Sequence, residues 1–388
     1  MAQANLRYFG LPPSPPLIGA RLRPPQGTRP ALQELLEALG TSEYNAGPDQ
    51  RPSAGFFRNP SLPIRRVTST LTPPAVQVAA TRDAYGVALA ELGKDNPEII
   101  VLDADLSGST RTKTFAQAFP ERFFNMGVAE SNMMGTAAGL AAMGKVVFAS
   151  SFAMFAAGKA WEPIRQTVCI PNLNVKICAT HAGLTVGEDG KSHQMLEDLA
   201  LMQVLPNMTV IVPADSIEAK LAIRAVAAHD GPVYVRLSRA KTPVIFDEDY
   251  VFKIGRGTQV RAGNDLALVA CGVELSAALE AAEILAAEGV NARVINMATI
   301  KPLDKDILVA AARDCGAVLT AEEHQAIGGL GSAVSQLLAH HAPVPIEVVG
   351  VRDSFGESAT ADQLLEKYGL DAQSIASRSR DLLRRKNA

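Results

Sequence analysis

The fold is decided by a pattern in NMGVAESNMMGTAAGLAAMGKVVFAS, residues 125–150. Its first part is rich in Ala, Gly and Met and predicts a helix over 130–143, whereas its last part, KVVFAS, predicts a strand over 145–150. The apolar residues of that strand do not alternate with polar ones. Such strands are typical of a parallel sheet that helices cover on both faces.

The same alternation of helices and short apolar runs continues on both sides of this stretch. It predicts strands at EIIVLD (98–103), at NVKICAT (174–180) and, in a second series, at LALVACG from residue 266. Further helices are predicted over 81–94, 112–119, 154–168, 216–228, 274–288 and 329–340. The sequence therefore predicts an α/β fold with two doubly wound domains, residues 77–245 and 257–388, joined by a short connector.

The first 76 residues have a different composition, because they contain 13 of the 24 prolines. Proline lacks a backbone donor and interrupts regular structure, so this extension is not expected to form a core. One stretch, residues 29–39, predicts a helix with four leucines on one face: Leu32, Leu35, Leu36 and Leu39. Residues 1–76 are therefore interpreted either as a partly disordered tail or as an arm that lies on a partner.

Composition excludes several classes of protein. The chain has 388 residues, 47% of them hydrophobic, and its formal net charge of −3 gives no electrostatic reason to expect nucleic-acid binding. No uncharged apolar run is long enough to predict a membrane-spanning helix. The four cysteines form no C-x-x-C pair, which argues against a cysteine-based zinc site or a disulfide framework and favours a reducing, cytoplasmic compartment.

Candidate functional residues follow the predicted strands, where ligands bind in α/β proteins. Phe152 and Phe155 come directly after KVVFAS, and Glu130 begins a helix. Each has a simpler explanation, because aromatic residues at this spacing usually belong to a core and acidic residues are favourable at helix N-termini. The other motifs that accompany these residues along the chain decide between the structural and the functional explanation.

A Gly-rich loop after NVKICAT carries two histidines and an acid: His181, Asp189 and His193. Packing does not explain these residue types in a loop, so they indicate binding or catalysis. A metal site is the alternative, but the gap of 12 residues between the histidines matches no helical pair of ligands.

Taken in order, GVAESNM, SSFAMF, TH…GEDGKSHQ, LPNM and VRLSR resemble the pyrimidine-binding domain of transketolases. The later segment EEHQAIGGLGSAV, 322–334, resembles the C-terminal domain shared by transketolases, 1-deoxyxylulose-5-phosphate synthases and the β subunits of 2-oxo-acid dehydrogenases. The resemblance covers about residues 77–375. It implies that thiamine diphosphate is the cofactor.

The resemblance also implies roles for individual residues. Glu130 matches the carboxylate that hydrogen-bonds the pyrimidine ring nitrogen, and Phe152 and Phe155 match aromatic residues that pack on that ring. Gly158 stands where the family has a third aromatic residue. The substrate-binding set implied for sugar phosphates is Arg82, Ser109, His181, Asp189 and Arg239. His181 and His193 are implied, with Glu130, as the catalytic residues.

The family's diphosphate-and-metal motif, GDG followed by an Asn, is absent, because GEDG at 187–190 belongs to the histidine loop. The sequence therefore resembles the C-terminal half of a split transketolase. The N-terminal transketolase subunit is expected to supply the diphosphate-binding half and to hold Mg²⁺ or Ca²⁺, so no metal ligand is assigned in this chain. We expect an α2β2 heterotetramer that transfers a two-carbon ketol unit between sugar phosphates of the pentose phosphate pathway.

Three alternatives follow from the same motifs. The chain resembles, less well, a β subunit of a thiamine-dependent 2-oxo-acid dehydrogenase or a 1-deoxyxylulose-5-phosphate synthase, and a catalytically idle subunit is a further alternative. The segment GGLGS, 328–332, predicts either an anion site at a helix N-terminus or simple packing, of which packing is preferred. Glu322, Glu323 and His324 are accordingly expected at an interface.

Overall fold

The computed structural model describes residues 77–387. The first domain consists of β1 (Val78–Ala80), α1 (Thr81–Asp95), β2 (Ile99–Asp103), α2 (Ser107–Thr110), α3 (Lys113–Ala118), β3 (Phe123–Asn125), α4 (Glu130–Ala142), β4 (Val146–Phe152), α5 (Trp161–Pro163), β5 (Val175–Thr180), α6 (Asp198–Gln203), β6 (Thr209–Ile211), α7 (Ser216–Ala228), β7 (Val233–Arg236) and β8 (Lys241–Pro243). Two π-helices, Met154–Lys159 and Ile164–Cys169, flank α5, and 3₁₀ turns lie at Pro120–Arg122 and Leu184–Asp189.

The second domain consists of β9 (Thr258–Arg261), β10 (Leu266–Ala270), α8 (Glu274–Ala287), β11 (Ala292–Asn296), β12 (Thr299–Lys301), α9 (Lys305–Cys315), β13 (Val318–Gln325), α10 (Leu330–His341), β14 (Ile346–Val351), α11 (Ala361–Tyr368) and α12 (Ala372–Lys386). None of the described helices is long and apolar enough to cross a membrane.

Each domain is built on a sheet that is mainly parallel. The first sheet has seven strands in the order β12-β6-β7-β5-β4-β2-β3, and the second has five in the order β14-β13-β10-β11-β9. β2, β5 and β10 are buried along their whole length, which explains their uninterrupted apolar runs. The predicted α/β class with two doubly wound domains is confirmed.

One strand of the second domain joins the sheet of the first domain. β12 follows β11 of the second domain but pairs antiparallel with β6 of the first, so it forms one edge of the seven-stranded sheet. β1 and β8, which flank the core of the first domain, form a separate antiparallel pair. The sequence pattern predicts neither of these antiparallel pairings.

Other local differences have clear causes. The predicted helix over 112–119 forms as α3, and the short helix α2 precedes it, separated from it by Arg111 in a left-handed conformation with φ of 72°. The predicted helix over 154–168 is helical, but most of it has π geometry. The C-terminal helix α12 was missed. The interpretations of residues 1–76 lie outside the described residues.

Candidate active site

The candidate residues collect at the carboxyl ends of β2, β4, β5 and β7, which are neighbours in the first sheet. Phe152 is the last residue of β4, and His181 directly follows β5. Ser109 lies in the short helix after β2, and Arg239 lies three residues after β7. Arg82 joins them from the first turn of α1. The parallel topology therefore brings together residues that are far apart in sequence.

Arg82 connects two of these segments. Its Nη1 donates to the backbone carbonyl of Ser109 at 3.1 Å and lies 2.9 Å from His181 Nε2. An arginine can only donate, so Nε2 accepts and the ring hydrogen lies on Nδ1, which then donates to Thr180 Oγ1 at 2.8 Å. These contacts fix both the tautomer and the orientation of His181.

His181 is electrically neutral at physiological pH. Burial, together with the neighbouring cations Arg82, Arg239 and Arg111, lowers the pKa of its imidazole to about 3. The catalytic role expected of His181 stays a prediction. Its ring is neutral, its Nε2 lone pair already accepts from Arg82, and positively charged side chains lie around it.

Aromatic rings form one wall beside His181. The ring of His181 stacks on Phe152 with centroids 3.7 Å apart, and Phe152 stacks with Phe155 at 6.0 Å. His193 meets Phe155 edge to face at 5.6 Å, and its Nδ1 lies 2.9 Å from Ser192 Oγ. His193 is partly exposed, unlike His181. Both histidines therefore lie on the aromatic pair that the sequence singled out.

Asp189 and Arg239 form the outer edge of the cluster. Arg239 Nη1 lies 3.3 Å from Asp189 Oδ2 and also donates to the backbone carbonyl of Val186. Both contacts join the end of β7 to the loop that contains the two histidines. The loop is thus tied to the arginine that was predicted to hold phosphate.

Glu130 lies at the first position of α4. Its side chain is 3% exposed, and its Oε2 accepts from Lys159 Nζ at 2.7 Å. Lys159 ends the π-helix that begins with Met154 and contains Phe155. π-helical segments are common at functional sites, because the wider turn re-aims side chains.

Two functional candidates were missed from the sequence. Arg111 contributes to the positive potential at His181, and its Nε pairs with Asp83 at 2.6 Å. Lys159 pairs with Glu130, as described above. Neither belongs to a motif, and the left-handed backbone of Arg111 has no sequence signal. The one sequence feature that pointed to Lys159 is the residue before it, Gly158, which stands where the family has a third aromatic residue.

The corresponding end of the second sheet holds no such cluster among residues 77–387. There the N–H groups of Leu330 and Gly331, at the start of α10, donate to the Glu322 carboxylate at 2.7 and 2.8 Å. The chain's own side chain therefore takes the place that an anion would take at GGLGS. This contact supports packing, the preferred interpretation of that segment.

Comparison with known families identifies both domains. Residues 77–244 match the transketolase pyrimidine-binding domain, and residues 255–375 match the transketolase C-terminal domain. The chain belongs to the transketolase family. Members of this family depend on thiamine diphosphate.

Two relatives and one solved structure match most of this transketolase-family chain over nearly their whole length. A putative transketolase C-terminal section from Methanocaldococcus jannaschii is 53% identical over 76% of this chain and 94% of its own length. A 6-deoxy-6-sulfo-D-fructose transketolase subunit from Clostridium sp. is 42% identical over 79% of this chain and 95% of its own length. A solved structure, described as a split-gene transketolase in an inactive beta4 tetramer, has a TM-score of 0.74 and 56% identity, covering 79% of this chain and 98% of that one.

The described residues fit the pyrimidine end of thiamine diphosphate. Glu130 offers a buried carboxylate on which Lys159 Nζ is the hydrogen-bond donor found among residues 77–387. Phe152 and Phe155 offer ring faces that are close to parallel, and Phe155 lies in the π-helix that ends with Lys159. A buried carboxylate suits a ring nitrogen, and aromatic faces suit a flat heterocycle.

Proposed function

We propose that this chain is the C-terminal subunit of a split transketolase that moves a two-carbon ketol unit between sugar phosphates. A partner chain would supply the diphosphate-binding half, with Mg²⁺ or Ca²⁺, in an α2β2 assembly in the cytoplasm. Sugars of the pentose phosphate pathway are the proposed substrates.

One observation carries this proposal. Arg82, Arg111 and Arg239 surround a neutral His181 next to the aromatic pair. The Nε of Arg82 is buried and has no hydrogen-bond partner among residues 77–387. An anionic substrate would satisfy that donor and the positive potential together, since arginine matches the oxygen geometry of phosphate.

The proposed roles follow from the contacts of each residue. When bound, thiamine diphosphate supplies a nucleophilic carbon and an electron sink. Glu130 would hold a proton at the pyrimidine ring nitrogen, and Phe152 and Phe155 would cover that ring and exclude water. His193 is the more exposed histidine and suits proton transfer to substrate. His181, whose ring nitrogens are engaged by Thr180 and Arg82, would line the substrate site and keep Arg82 in place beside the substrate.

Dependence on a partner is supported by the missing GDG motif and by the relatives of similar length. The test is reconstitution. The chain is assayed for ketol transfer alone and after titration with a candidate N-terminal subunit, in the presence of thiamine diphosphate and Mg²⁺. We expect background rates alone and activity that saturates at a fixed ratio of the two chains. Full turnover by the chain alone would contradict the proposal.

A second substrate class has specific support. The Clostridium relative acts, by its name, on a sulfonated fructose. A sulfonate, like a phosphate, presents several oxygens to arginine donors, so the cluster of Arg82 and Arg239 is compatible with either group. Assaying the reconstituted pair with fructose 6-phosphate and with 6-deoxy-6-sulfofructose, and comparing kcat/KM, separates the two.

A further inference from the structure

A buried glutamate of the second domain contacts the loop that carries His181 and Asp189. Glu323, on β13, is 2% exposed, and its Oε1 accepts from the backbone N–H of Thr185. Gly183 passes directly over that carboxylate: its φ is +83°, and a side chain there would overlap Glu323. Glycine is therefore required at 183 both by its conformation and by this close approach.

The same contact continues to the predicted phosphate-binding arginine. Thr185 donates to Glu323, and the carbonyl of the next residue, Val186, accepts from Arg239 Nη1. Asp189, which lies beyond a kink of the same segment at Gly187, also pairs with Arg239. The segment 184–189 thus joins a carboxylate of the second domain to an arginine of the first.

Glu323 is itself held in place. Arg236 Nη2 donates to its backbone carbonyl at 2.8 Å, and Arg236 Nη1 lies 3.8 Å from its Oε2. Arg236 Nε is occupied by Asp198 at 2.8 Å. The carboxylate therefore has a fixed position and a weak, long ion pair, and among residues 77–387 its one backbone donor comes from the loop.

We propose that Glu323 is a positioning residue, which fixes the 184–189 turn and through it aligns Arg239 and Asp189 for the substrate. The inference rests on the proposed function for the roles of those two residues. It gives the second domain a part in substrate binding, in addition to packing.

The charge of Glu323 gives the proposal a pH signature. Burial raises the pKa of this carboxyl to about 7, while Arg236 opposes that shift. The other titratable groups that face it are Asp198 on α6 and Glu274 on α8. The ionised form is the stronger acceptor, so the turn is expected to be held above about pH 7 and to loosen as the pH falls through that value.

The decisive variant is Glu323→Asp, which keeps the charge but shortens the side chain so that it does not reach Thr185. In the reconstituted enzyme we expect KM for a sugar phosphate to rise about tenfold, with kcat changed less than about threefold. Amide hydrogen exchange at 184–189, measured on this chain alone, should accelerate about tenfold. Glu323→Gln keeps an acceptor and loses the charge, so its KM should no longer rise as the pH falls below 7.

Glu322→Gln is the matched control, because this neighbouring buried carboxylate contacts α10 and not the loop. It should leave KM and exchange at 184–189 unchanged. Unchanged KM and exchange in Glu323→Asp would overturn the inference, even in an active enzyme. Absence of ketol transfer in the wild-type pair would instead contradict the proposed function, whereas the exchange measurement would still test Glu323.

Discussion

The carboxyl ends of the two sheets carry similar polar residues but use them differently. In the first domain, Arg82, Arg239 and His181 lie together, and a donor of Arg82 is left without a partner among residues 77–387. In the second domain, Glu322 satisfies the first N–H groups of α10. The Arg82 donor that is unpaired among the described residues is available to a ligand at the first end. At the second end, the Glu322 carboxylate already accepts from the N–H groups at the start of α10.

This difference predicts that substitutions at the two ends affect different properties of the protein, activity at the first end and stability at the second. Changes at the first end should lower activity and leave the folded state intact, since those groups are incompletely paired. Changes to the contact between Glu322 and α10 at the second end should lower stability and leave the reaction unaffected, because both N–H donors there are already used. Fold similarity between the domains would not reveal this division.

The largest effect is expected for Glu130→Gln. The amide cannot hold a proton at the pyrimidine nitrogen, so turnover of the reconstituted enzyme should fall by at least ~10²-fold, the scale of a lost acid–base group. Steady-state kcat is the measurement, with gel filtration to verify assembly. Glu162→Gln, an exposed acid at the start of α5, is the control and should be neutral. Near-normal turnover of Glu130→Gln would mean that Glu130 only stabilises the N-terminus of α4.

A smaller effect is expected for Arg239→Ala. Loss of a charge-assisted hydrogen bond should reduce kcat/KM for phosphorylated substrates by ~10- to 100-fold. Hydroxypyruvate, a donor without phosphate, should be affected much less in its own half-reaction. Arg352→Ala, an exposed arginine of the second domain, provides the comparison. Equal losses for both substrates would mean that Arg239 supports the loop and does not bind phosphate.

The sequence was sufficient for the parts of this picture that depend on local pattern. Buried runs such as IIVLD and VKICAT predicted the central strands, and the parallel topology then implied that residues following them meet. The proposed roles of Glu130 and the histidines came from resemblance to a family and not from spacing.

Contacts between distant segments could not be predicted in this way. β12 joins the sheet of the other domain, and Glu323 reaches the loop that begins 142 residues earlier at His181. Lys159 meets Glu130 because a π-helix re-aims its side chain. Each depends on tertiary packing, which leaves no periodic signal in a single sequence.

The smallest effect on catalysis, essentially none, is expected for Glu322→Gln, and this variant tests the other half of the comparison. The Glu322 carboxylate is fully buried and accepts from the N–H groups of both Leu330 and Gly331. A glutamine offers one acceptor oxygen and would turn its amide N–H₂ towards the second donor. Loss of a charge-assisted hydrogen bond should therefore reduce the free energy of unfolding by ~1.5–3 kcal/mol.

Urea denaturation of the chain measures that loss, and Glu366→Gln, an exposed acid on α11, serves as the control with no expected change. In the reconstituted enzyme below the unfolding transition, kcat and KM of Glu322→Gln should equal the wild-type values. A catalytic defect without a stability defect would reverse the comparison, since it would place a functional group at the end of the second sheet. A stability defect alone supports the conclusion that this domain has closed its ligand end with its own carboxylate.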